Sequence, residues 1–352
     1  MEKPTANANA NAILTFDFFE TICGNLLTEK IVDEKMKRLI AFLKEWTLPV
    51  AMAFGTVVYL VFRYVPALDA AGDVCSPIID TLFPMFIFLT LFITFSKVDF
   101  HQMKPHRWQF WLLTVQLLLI AANVGIALLV KNHPEQKLLW EGVLTCVIAP
   151  CASAAPVVTG KLGGDINTMT AFTLISSILC AITIPAIFPI LERADNITFI
   201  QASLIILQKL AIVMLLPLLL GWFVQHYVKP LCQWIKRHPD LGFYSWGCSL
   251  AITTGVTVKN ICNANTSVSI LLMIALLSAC VCVLHFIIGR RIGKSFNERI
   301  NCGQGMFQKN TGMAIWVAYM YLNPVASIGA GCYVLWQNII NSYEIWEQRE
   351  QS

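Results

Sequence analysis

The sequence predicts an all-α membrane protein with ten transmembrane helices arranged as two inverted five-helix repeats. Three observations carry this. Apolar residues make up 57% of the 352 residues and charged residues only 13%, about half the usual charged share, and mean hydropathy is +0.64. Ten apolar stretches follow one another, each near the length of about 20 residues that a spanning helix needs. Basic residues gather on alternate connections. The composition excludes a disordered chain, a nucleic-acid module and an ordinary water-soluble enzyme. The net charge of +4 is uninformative by itself.

In chain order, residues 1–27 read as an N-terminal tail. The opening Met-Glu-Lys-Pro and its Asn/Ala repeat lack the basic and apolar regions of a signal peptide. Residues 28–47 predict an amphipathic helix lying on the membrane surface: Ile31, Met36, Leu39, Ile40, Leu43 and Trp46 share one face among many lysines. The spans are 48–65, 75–96, 107–130, 138–161 and 166–191, forming a first repeat over 48–191. Then come 204–228, 241–259, 267–289, 298–321 and 323–345, forming a second over 198–345, with 346–352 as a C-terminal tail. Trp46, Trp108, Trp140, Trp234 and Trp346 sit near span ends and read as interfacial anchors. The twelve cysteines are scattered, with no CxxC pair and no zinc spacing, so they read as buried, reduced apolar residues rather than metal ligands.

Orientation follows from the basic residues. The side shared by the two termini and alternate loops carries about 18 Lys/Arg, among them Lys35, Lys37, Arg38, Lys104, Arg107, Arg290, Arg291 and Lys294. The other side carries about five: Arg63, Lys131, Lys137, Arg193 and Lys259. The bias predicts cytoplasmic termini in a multi-pass cell-membrane protein (the inner membrane in a bacterium) and supports an even number of spans.

Two spans are poor continuous helices. The fourth reads IAPCASAAPVVTGKLGG, with small residues between Pro150 and Pro156; each proline removes a backbone donor and clashes with the preceding turn. The ninth reads NCGQGMFQKNTGMAIW, with Gly303, Gly305 and Gly312 weakening the helix and polar residues in mid-span. Both occupy the fourth position of their five-span set. Interrupted segments at matching positions of two inverted halves point to a transporter's binding site. Lys309 is the sharpest residue there, because a lysine in mid-span is expensive and belongs in the interior or a cavity. An ion-pair partner among Asp80, Asp165 and Glu141 is one alternative. A half-helix beginning near Thr311 adds its N-terminus, which with the ammonium favours an anion. The predicted substrate-binding set is therefore Ser153, Ala155 and Pro156 on the fourth span with Gln308, Lys309, Asn310 and Thr311 on the ninth.

These residues resemble the bile acid:sodium symporter family over roughly residues 48–345. FQKNTGMA is similar to that family's ninth-helix segment, and KLGGDINTMT, VDFHQMKPHRWQF and NPVASIGAGCYVLWQNIINSYEIW look like its other landmarks. The resemblance implies a panel of spans 1, 2, 6 and 7 beside a core of spans 3–5 and 8–10, in which the broken helices cross. It implies organic-anion substrates such as bile acids, sulfated steroids and carboxylates. It also implies sodium sites, and there this sequence departs. Ala155 and Pro156 stand where the family places Ser-Asn, Met169 where it places Ser, Gly305 where it places a metal-binding Glu, and Lys309 where it places Gln. Gln116, Thr170, Thr173 and Gly305 are thus remnants of an ion site. The expectation is transport in which Lys309 replaces the cation, independent of sodium and either uniport-like or coupled to protons.

The expected partners are a small organic anion and the lipid bilayer, with no nucleic acid. A sodium-coupled symporter with altered ligands, an anion channel and a non-transporting sensor of the same fold are the alternatives. An intramembrane enzyme finds no support: the sequence holds no Gly-x-Ser-x-Gly elbow, no HExxH and no Asp pair in facing spans. His285 in the eighth span reads as a hydrogen-bonded packing residue.

Overall fold

The computed structural model describes residues 47–97, 104–192, 198–238 and 241–351. The tail and surface helix expected over residues 1–46 lie outside the described residues. The chain divides into two units, Met1–Val50 and Ala51–Ser352; of the first, only residues 47–50 are described, and they are helical.

All regular structure among the described residues is helical, apart from one isolated two-residue bridge. Helix α1 covers Thr47–Tyr64, α2 Asp69–Lys97 and α3 Arg107–Leu129. The fourth predicted span is two helices, α4 (Pro134–Ile148) and α5 (Ala155–Lys161). Next come α6 (Ile166–Leu191), α7 (Phe199–Leu210), a π-helical turn at Ala211–Leu215, α8 (Leu216–Tyr227), a short α9 (Lys229–Arg237) and α10 (Leu241–Cys262). Helix α11 covers Val268–Phe296, and the ninth span is again split, into α12 (Arg299–Phe307) and α13 (Thr311–Tyr321). Helix α14, Ser327–Gln351, continues through the segment that the sequence predicts as a tail.

Five of these elements are long and apolar enough to cross a membrane: Pro66–Lys97, Arg107–Leu129, Ile166–Leu191, Phe199–Tyr227 and Val268–Phe296. Pro49–Tyr64 is apolar but shorter. The split helices are too short singly.

Local sequence explains the breaks. Pro150 directly follows the last turn of α4, and Pro156 sits in the first turn of α5, where its missing N–H has no helical partner to lose. Helix α5 ends on Gly163 at φ 82°, the left-handed position that favours glycine. Asp165 caps α6 by accepting from the N–H groups of Asn167 at 2.8 Å and Thr168 at 3.3 Å.

The largest apolar cluster of the core is built around Ile87, Leu91, Phe95, Leu144, Ile184, Leu210, Ile315 and Val317. Close helix approaches rest on glycine. At Gly329 in α14 a Cβ would lie 2.0 Å from the Gly142 carbonyl oxygen of α4. Trp108 is not an interfacial anchor: it is 1% exposed and packs on Phe172 with ring centroids 5.4 Å apart. Trp234 and Trp346 are exposed. Among the described residues no cysteine is paired, and Cys248, Cys262 and Cys280 face outward rather than into the core.

Candidate functional site

The two breaks meet. Cys151 and Lys309 form an antiparallel bridge. The Ala152 N–H donates to the Gln308 carbonyl at 2.9 Å, and the Asn310 N–H donates to the Pro150 carbonyl at 2.8 Å. Unwound backbone at membrane depth has no water to turn to, so each free group needs a protein partner. Three side chains add further bonds. The Cys151 N–H donates to Ser176 Oγ at 2.8 Å. Gln116 Nε2 donates to the Ala149 carbonyl at 3.1 Å and the Val147 carbonyl at 3.3 Å. Gln337 brackets Lys309, accepting from its N–H at 3.0 Å and donating to its carbonyl at 3.3 Å.

Around this bridge four of the seven predicted substrate residues share one cleft, and Gln308, Ala155 and Pro156 do not line it. Ser153, Lys309, Asn310 and Thr311 line one small cleft, closed on its other side by Ile87 and Thr90 of α2 and by Trp246, Ser249 and Thr253 of α10. Its volume is about 20 Å³, room for about one water. Asn310 Oδ1 caps α13 by accepting from the Met313 N–H at 3.2 Å, which starts that half-helix at Thr311 as expected from sequence. Ala155 and Pro156 are buried in the first turn of α5.

Lys309 is 1% exposed, and among the described residues its Nζ has no hydrogen-bond partner. Neither does either side-chain polar atom of the buried Gln308. The three carboxylates considered as partners are elsewhere: Glu141 lies 3.4 Å from Lys137, Asp165 caps α6, and Asp80 lines a separate hollow.

Of the ion-site remnants, Gly305 lies against an apolar cluster, while Gln116 holds the carbonyls at the first break. At Gly305 a Cβ would lie 3.0 Å from the Phe172 ring and 3.2 Å from Leu112. Met169, Phe172, Met306 and Trp108 fill the surroundings. Thr173 Oγ1 donates to the Met169 carbonyl at 3.1 Å, and Thr170 Oγ1 to the Ile166 carbonyl at 2.7 Å. Gly303 and Gly305 remain helical, so the ninth span breaks at Gln308–Asn310 and the glycines serve packing instead.

Gln337, Ser176 and Asn301 are structural partners that sequence reasoning did not single out. Asn301 ties α12 to the turn before α6, donating to the Asp165 carbonyl at 2.7 Å and to Thr168 Oγ1 at 2.9 Å. Their one available signal was a polar residue within an apolar run. His285 contacts the Tyr333 hydroxyl at 3.0 Å, and Tyr333 donates to the Phe307 carbonyl at 2.7 Å, which makes it a packing residue.

No curated protein matches the chain. Residues 84–284 match the Sodium Bile acid symporter family, a stretch that includes the first break and ends before the second. That stretch is more than half of the chain, so this multi-pass, helical membrane protein belongs to the sodium bile acid symporter family, whose members are transporters.

Proposed function

We propose that this protein is a secondary transporter of an organic anion of the bile-acid, steroid-sulfate or carboxylate class, working by alternating access without sodium. The observation that carries the reading is the buried Lys309 amine, without a hydrogen-bond partner among the described residues, at the meeting of two split helices. In the proposed topology, ten spans form two inverted repeats over 48–191 and 198–345, the split helices count as one span each, and both termini are cytoplasmic in the cell membrane. Helices α1, α2, α7–α8 and α10 make the panel and the rest the core. The substrate enters where α2 and α10 meet the crossing. A cleft of about 20 Å³ is far too small for such an anion, so binding requires these elements to part.

The side chains do not fit a sodium ion. A carboxylate cannot enter at Gly305 without displacing Phe172 and Leu112. An ammonium about 4 Å from a cation repels it by roughly 4 kcal/mol at an effective dielectric of 20. Lys309 supplies the fixed positive charge instead, and the substrate's acid group completes it, with Gln308 offering an unpartnered amide beside it.

A second reading is a sodium-coupled symporter with altered ligands, and the family assignment favours it. Uptake of radiolabelled taurocholate and estrone sulfate into proteoliposomes, with and without an inward sodium gradient, separates the two. Uptake unchanged by sodium and lost in Lys309→Gln supports the proposal. Strong sodium stimulation rejects it, and binding without flux identifies a sensor.

A further inference from the structure

Away from the crossing, α1, α2 and α10 border a second, half-open hollow of about 530 Å³. That is within the roughly 300–1,000 Å³ typical of small-molecule sites. Its walls are largely apolar, with Phe54, Val58, Phe62, Ile78 and Ile252 prominent. Helices α1 and α10 touch at its floor, where a Cβ on Gly55 would lie 1.9 Å from the Ala251 carbonyl oxygen. From that contact the hollow runs toward the C-terminal ends of both helices. At 1.5 Å per residue, the wall from Phe54 to Arg63 is about 13 Å long.

The far end is polar. Arg63 and Lys259 line it, each within a turn of its helix terminus, whereas Asp80 of α2, the one carboxylate among the described lining residues, lies eight residues from Gly72, the neighbour of Phe62. Among the described residues neither cation has an ion-pair partner. The hollow thus combines a long apolar body with a mouth of net positive charge. It is distinct from the crossing cleft: Ser249 and Thr253 of α10 face the cleft, while Ala251, Ile252, Gly255 and Lys259 line the hollow.

We propose that this hollow binds a single-chain amphipathic carboxylate of the fatty-acid class, its head between Arg63 and Lys259 and its chain along Phe54–Phe62. A lone acid head matches a lining in which two cations outnumber one carboxylate. A zwitterionic phospholipid brings its own cation to the same mouth and matches it less well. The assignment does not depend on what the crossing transports.

The test uses the full chain in phosphatidylcholine nanodiscs and a diazirine-bearing dodecanoic acid, with cross-linked peptides mapped by mass spectrometry. Adducts are expected on residues 54–62 and 251–256, displaced by unlabelled dodecanoate. Arg63→Gln/Lys259→Gln should cut labelling about tenfold, the effect of losing charge-assisted contacts. Val58→Trp, which fills the hollow and keeps both cations, should cut it as well. Adducts spread evenly over outward-facing helices would overturn the proposal. So would equal labelling by diazirine phosphatidylcholine, stronger labelling by the matching dodecylamine, or labelling that survives Val58→Trp.

Discussion

Replacing Lys309 with methionine should make the empty protein more stable and deaf to its substrate. Methionine nearly matches the lysine stem in length and volume, and volume-conserving exchanges in a core cost under about 1.5 kcal/mol. Against that stands the relief of a buried polar group with no partner, worth about 1–3 kcal/mol in protein mutational data. The Gln337 bracket holds the backbone of Lys309 and not its side chain, so it survives the exchange. The net gain is about 1 kcal/mol, a rise of roughly 2–4 °C on the scale of medium-sized domains. Thermal unfolding of purified protein in detergent without organic anions measures it. Adding a transported anion at a hundred times its dissociation constant should then stabilise the unmodified protein by about 2.7 kcal/mol and leave Lys309→Met unmoved. If Lys309→Met is less stable than the unmodified protein without anion, the amine already has a stabilising partner and the reasoning fails.

Other outcomes follow from single contacts. Gly329→Ala places a methyl 2.0 Å from the Gly142 carbonyl oxygen, so α4 and α14 must separate; a loss of about 3 kcal/mol or more is expected, visible as aggregation in size-exclusion chromatography. Gln337→Leu leaves the Lys309 N–H without its side-chain partner and weakens the bridge between the breaks; a loss of about 1–3 kcal/mol should appear as a lower Tm. Gly305→Glu alone should not create sodium binding, because Phe172 occupies the space; a sodium-dependent rise in Tm of that single variant would contradict this. Lys137→Gln strands the buried Glu141, 3.4 Å away, and also loses the half-exposed Glu192 at 2.6 Å; a cost of about 1–3 kcal/mol is expected, of which Lys137→Gln/Glu141→Gln should recover the Glu141 part and not the Glu192 part.

Much of the helical framework was legible because spanning helices announce themselves by length and apolarity. The sequence bounds for α6 coincide with the structure, and those for α3 differ by one residue at the C-terminal end. The breaks were legible too, since Pro150, Pro156 and the polar Gln308–Thr311 run contradict a continuous apolar helix. Packing was not. Trp108 sits at a span end by sequence, and only the chain fold brings Phe172 and Met169 around it. Glycine carries the same ambiguity: Gly305 reads as a helix breaker, yet stays helical to admit a neighbouring ring. Gln337 lies 28 residues from Lys309, and no local pattern could pair them.

The backbone bridge at the crossing restricts how the molecule can move. Because each interruption supplies hydrogen bonds to the other, Ala152 to Gln308 and Asn310 to Pro150, pulling one away strips both in a medium that offers no replacement. The pair must travel as one rigid block. The softer seam runs on the other side of the cleft, where α2 and α10 reach across through single side chains: Thr94 donates to the Ser153 carbonyl at 3.5 Å, and Asn260 donates to Ser327 at 2.7 Å. Such groups can exchange partners with entering water, so sliding there is cheap while tearing the crossing is not.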